Sequence, residues 1–207
     1  MEAILISIGL TAAAAAGVRF LRAKGRRLAL PVLTLTLAGV TTIVSVAGNL
    51  NVDVLDALAR DRELLLGGQW WRIVTPLLVQ DGGWAGTVFN LVALLIVGTL
   101  TEALCGRRVL IVTYVAAGVV SEIAAYTLLP GQGFAGNSVA ICGLTALCLV
   151  RLVRTPDMLT RALSVLGLVA GALLIVTANL HGVGFAVGVI VGSFTRIGSG
   201  RASSHGT

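Results

Sequence analysis

Apolar residues fill this chain in blocks of roughly twenty, with no alternation of polar and apolar positions inside a block. The blocks predict helices at about 3–20, 28–48, 84–104, 108–129, 135–151, 160–176 and 179–195. Each is long enough to cross the ~30 Å hydrocarbon core of a bilayer as a helix, which satisfies its own backbone hydrogen bonds; barrel strands would alternate. The expected fold class is therefore all-α, a polytopic helical membrane protein with seven spans. Only Thr177, Ala178 and Asn179 separate the last two blocks, and the alternative is one long helix; Gly182, Gly184 and the polar cluster at His181 predict a break.

The polar interruptions set the topology. Basic residues follow the first block (Arg19, Arg22, Lys24, Arg26, Arg27), the third (Arg107, Arg108), the fifth (Arg151, Arg154, Arg161) and the last (Arg196, Arg201). These twelve of the fifteen basic residues fall on one side, which the positive-inside rule makes cytoplasmic, so the N-terminus is expected outside and the C-terminus inside. The positive charge follows the first block instead of preceding it, so no cleaved signal peptide is expected. The loop at 49–83 mixes charges with leucines and ends on Trp70, Trp71 and Arg72, which reads as a partly helical element lying in the interface.

Composition agrees with this pattern. Of the 207 residues, 57% are hydrophobic and 12% charged, and the mean hydropathy is +0.98. The net charge of +6 is explained by the cytoplasmic helix ends, and no nucleic-acid partner is expected. Cys105, Cys142 and Cys148 sit in or beside apolar blocks; no disulfide framework or zinc spacing follows, and no metal or other cofactor is expected. One Lys against fourteen Arg, with abundant Ala and Gly, fits a GC-rich bacterial genome and so a bacterial plasma membrane.

Candidate chemistry emerges from depth. At about 1.5 Å per helical residue, Ser138 lies roughly 20 Å above Arg151 and His181 roughly 22 Å above Arg196, so the two share a layer. Gly136, Ala140 and Gly143 on one helix, and Gly184, Gly188 and Gly192 on the other, offer small faces on which backbones can approach closely. On composition and spacing alone, Ser138 is open between a hydroxyl bonded back to its own helix and a nucleophile activated by an imidazole. Glu122, roughly 21 Å above Arg108, occupies the same layer. It can accept from His181, donate in its protonated form, or bond locally to Ser121 or Tyr126.

The stretches "WWR" at 70–72, Asn90, "GTLTEALCG" at 98–106, "GNSVAICGL" at 136–144 and "HGVGFAVG" at 181–188 resemble, in order and topology, the rhomboid family of intramembrane serine proteases. The resemblance spans about 28–195. It implies a six-helix domain at 28–196, preceded by an extra N-terminal helix and basic loop at 1–27 and followed by a short tail at 197–207. It further implies Ser138 as nucleophile, His181 as general base, and Asn90 in the oxyanion hole beside Gly136 and the Ser138 N–H. Glu122 stands as a supporting group, and Glu102 is expected to bond backbone or loop groups near the cytoplasmic end. Gly86 stands where the family usually has histidine, Val139 where it has glycine, and Cys142 where an aromatic often packs. The implied reaction is hydrolysis of peptide bonds in single-span membrane proteins within the lipid bilayer. The alternatives are a rhomboid-like protein that binds and routes clients without cleavage, and a small transporter using Glu122 and His181 as a proton relay.

Overall fold

The computed structural model describes residues 1–26, 28–129, 131 and 135–195. Arg27, Arg196, Arg201 and the tail at 197–207 lie outside them. Among the described residues every element is helical, and the chain is an integral multi-pass membrane protein. The long helices are α1 (Glu2–Ala23), α2 (Val32–Leu50), α5 (Gly83–Cys105), α6 (Arg107–Thr127), α7 (Ser138–Leu152), α8 (Met158–Val176) and α9 (Leu180–Phe194). Short helices α3 (Val52–Leu58) and α4 (Arg62–Leu66) and two 3-10 turns at Trp70–Ile73 and Thr75–Leu77 make up the long loop, as its mixed pattern predicts. Five helices are long and apolar enough to cross a membrane: α1, α2, α5, α6 and α8. Their outward faces carry large apolar side chains such as Ile43, Val92, Ile123 and Val169, as a lipid-facing surface requires.

α7 is the axis of the bundle. From Val139 to Leu152 every residue of it is buried, because α5, α6, α9, α8 and α1 pack around it as a closed ring, each against the next. α2 lies outside the ring against α5. With fifteen residues, α7 is about 22 Å long and cannot span the ~30 Å core. An enclosed helix need not, since protein and not lipid surrounds its ends.

Boundaries differ from the sequence pattern where local chemistry intervenes. Pro31 fixes the approach to α2, which therefore starts at Val32 and not at 28. α8 starts at Met158, because Asp157 caps it by accepting from Thr160 N. The two last helices are separate: Ala178 takes a φ of 50°, and Asn179 caps α9. α7 starts at Ser138, so Gly136 is not on the small face of that helix as the spacing predicts. It lies in the preceding turn with a φ of 141°, a conformation open to glycine.

Close backbone approach brings α9 onto α7. A Cβ on Gly184 would overlap the carbonyl of Val139, and one on Gly188 that of Gly143. Glu102 ties the opposite end: its carboxylate accepts from Thr34 N and Thr34 Oγ1 at 3.0 Å and from Arg107 Nε at 2.8 Å. At the same end Arg19 pairs with Asp157 at 2.6 Å, joining α1 to the start of α8. The Asp157 carboxyl is held well below the usual carboxylate range by Arg19 and by the Thr160 donors.

Candidate active site

Three stretches far apart in sequence converge at the end of the bundle where α7 begins. Ser138 opens α7, so N–H groups of that first turn lack intrahelical acceptors and the positive end of the helix points towards the hydroxyl. Asn179 opens α9: its Oδ1 accepts from His181 N at 2.8 Å, which orients the amide, and lies 2.9 Å from His181 Nδ1. Glu2 Oε1 of α1 lies 2.6 Å from the same Nδ1. Two acceptors at Nδ1 place the imidazole proton there, leaving the lone pair on Nε2. That Nε2 is 2.8 Å from Ser138 Oγ. A hydroxyl so placed can pass its proton to the ring as the oxygen attacks an electrophile.

Ser138 and His181 line a cleft of about 470 Å³ together with Glu2, Arg60, Asp81, Gly136 and Val139. Its floor is stitched from the loop after the second 3-10 turn. Gly136 N donates to Pro76 O at 2.8 Å, Ala135 N to Asp81 Oδ2 at 3.0 Å, and Gln80 Nε2 to Asn137 Oδ1 at 3.1 Å. Asn90 Nδ2, from α5, donates to Gln80 Oε1. A side chain on Gly136 would start 3.2 Å from Gln80 Oε1, 3.6 Å from Ser138 Oγ and 3.9 Å from Asn90 Nδ2. Glycine therefore keeps open the space that these three groups share. An amide NH2 carries two protons, so Asn90 retains one after bonding Gln80. Gly86, one turn before Asn90 on α5, faces open space.

Glu122 is fully buried and is not with His181. Arg60 Nε and Nη2 each reach one of its oxygens at 2.8 Å. None of the three expected partnerships forms, because a bidentate guanidinium offers a buried carboxylate two charge-assisted bonds and cancels its charge. Arg60 comes from the loop, and Arg72 holds the same loop by donating to the Asp56 and Ala59 carbonyls. Cys142 is buried in the apolar core one turn below Ser138.

Ser138, His181, Asn90 and Gly136 are thus brought together, while Glu122 serves the loop. The pattern left Gln80, Asn179, Glu2 and Arg60 unassigned. Asn179 carries a local signal, an Asn directly before an apolar helix. The other three act across 10 residues of loop and helix or more, and nothing in their own neighbourhoods marks them.

A sequence model of the Rhomboid domain matches residues 67–197. The rhomboid protease GluP of Bacillus subtilis (strain 168) is 33% identical over 141 residues, covering 68% of this chain and 26% of that protein. The protein YdcA of the same organism is 30% identical over 78 residues, covering 37% of this chain and 39% of that one. The matches therefore take in well under half of either relative's length. The family match covers the loop from Gly67, Asn90 and both halves of the serine–histidine pair, and on it the chain belongs to the rhomboid family.

Proposed function

We propose that this protein is an intramembrane serine endopeptidase that hydrolyses peptide bonds in or near the transmembrane segments of single-span proteins. The observation that carries the reading is the 2.8 Å contact between Ser138 Oγ and His181 Nε2 at the head of an enclosed, membrane-embedded helix. Ser138 Oγ attacks the scissile carbonyl carbon while its proton moves to Nε2; His181 then returns the proton to the leaving amine, and water releases the acyl group by the same two steps. The oxyanion is met by the free Asn90 amide proton and the N–H of Ser138, in the space kept open by Gly136. By the positive-inside rule the site faces the non-cytoplasmic side, with the N-terminus outside and the C-terminus inside, in a bacterial plasma membrane. Residues 28–196 form the catalytic membrane domain, 1–27 the added helix and its basic loop, and 197–207 a short tail.

A second reading, client binding without cleavage, is favoured by the open space at Gly86, where one oxyanion donor of the family pattern is lacking. Purified protein in lipid, given a tagged single-span substrate, separates the two. Cleavage by wild type that Ser138→Ala abolishes supports the protease. Equal binding by both, with no cleavage by either, supports the client binder.

A further inference from the structure

We propose that Glu2, carried by the N-terminal helix, is a positioning residue for His181: its carboxylate holds the Nδ1–H and stabilises the imidazolium formed when Nε2 takes the Ser138 proton. The inference rests on the protease reading. Glu2 Oε1 approaches Nδ1 to 2.6 Å, closer than the 2.9 Å of Asn179 Oδ1. The two acceptors differ in kind. Asn179 is neutral and fixes the tautomer in the resting state. A carboxylate does that too, and its attraction grows as the ring becomes charged, which is the differential stabilisation that speeds a step. Through the transfer Glu2 keeps its charge and only the Ser138 proton moves.

The other charges facing His181 do not take that place. Of those lining the cleft, Arg60 is held by Glu122, and Asp81 accepts from Ala135 N across the cleft floor. Ser138, on α7, sits at the opposite ring nitrogen. Glu2 is delivered at a fixed height because α1 packs along α8 and α7 on a face of buried small residues that includes Gly9, Ala12, Ala13 and Ala16, while Gly17 meets Leu100 of α5. The helix lies outside residues 67–197, which match the family. On the proposed division of the chain at residue 28, the third polar partner of the histidine comes from the helix that precedes the domain.

The test uses the full chain in detergent micelles, with two readouts. The first is the rate of Ser138 labelling by a fluorophosphonate across pH for wild type, Glu2→Gln, Glu2→Ala and Glu2→Asp. The second is the imidazole N–H proton resonance of His181 in histidine-labelled protein, assigned by His181→Gln. Losing a charge-assisted partner at a half-exposed rim is expected to slow labelling about tenfold in the Gln and Ala variants, with part restored in Asp. The N–H resonance should move upfield in Glu2→Gln as Asn179 becomes its sole acceptor. Labelling within about twofold of wild type, or faster, or an unmoved resonance, overturns the proposal. A wild type that never labels, with a resonance that still moves on Glu2→Gln, sinks the protease reading and leaves the Glu2–His181 assignment standing.

Discussion

Gly184→Ala tests whether the approach of α9 to α7 sets the serine–histidine distance. The added methyl points at the Val139 carbonyl, with Ser121 Oγ 3.3 Å away on α6. Non-bonded atoms of this kind settle about 3.5–4.0 Å apart, so α9 must retreat by about 1 Å. The Ser138–His181 contact at 2.8 Å tolerates roughly half that before it ceases to be a hydrogen bond. Overpacking of a tight interface costs about 1–3 kcal/mol, and a misplacement of ~1 Å at reacting groups costs on the order of 10²-fold in rate. Thermal unfolding in detergent and phosphonate labelling measure the two separately. Gly39→Ala in α2, where a methyl meets nothing within 4 Å, is the control and should gain about 0.5 kcal/mol from helix propensity. If Gly184→Ala matches that control in melting temperature and labels at the wild-type rate, the interface is not close enough to set the distance.

Removing one partner of the Arg60–Glu122 pair strands a buried charge. Arg60→Ala is therefore expected to lower stability by about 3–5 kcal/mol, and Arg60→Ala with Glu122→Gln to recover most of it, read by thermal unfolding. Gly86→His places a donor in open space one turn from Asn90; on the protease reading it should raise the rate of substrate cleavage by up to about 10²-fold, and slower cleavage would show that the space serves substrate instead. Asp157 has a folded pKa below its unfolded one, so the stability it contributes is complete above the ordinary aspartate range near 3.9 and is lost as pH falls through the lowered value. Acid unfolding of Asp157→Asn should lack that step.

The helices were legible because lipid demands long apolar runs and because the arginines punctuate them. Ser138 and His181 were legible as neighbours, since depth counted from those arginines puts them in one layer, whereas Asn90 came only with the family resemblance. Gly136 was placed on a helix because small residues at four-residue spacing look alike inside and just outside a helix; only its φ of 141° separates the cases. Glu122 was readable as a buried acid but not by partner. Arg60, its partner, is 62 positions away in a loop whose pattern specifies amphipathicity and not direction. Glu2 was out of reach for a similar reason: its role depends on α1 docking beside α8, and that is decided by an alanine-rich face that any neighbour could accept.

The ring around α7 also bears on how a polypeptide could reach Ser138. No side of α7 faces lipid, so a transmembrane segment can approach only through the mouth of the cleft beside His181 or by parting two helices of the ring. The outer surface on either side of α1 carries shallow grooves: one of about 300 Å³ between α1 and α5, lined by Ser7, Thr11, Phe89 and Val92, and an open one of about 510 Å³ between α1 and α8. By contrast α7 and α9 meet backbone to backbone at Gly184 and Gly188, and parting them would separate the serine from its histidine. Of the ring's seams that of α1 with α5 is the least packed, whereas α1 and α8 meet closely where Gly167 faces Ala12. A displacement of α1 that admits a segment also moves Glu2 from His181, so on the protease reading entry at the membrane and the state of the imidazole are coupled through one helix.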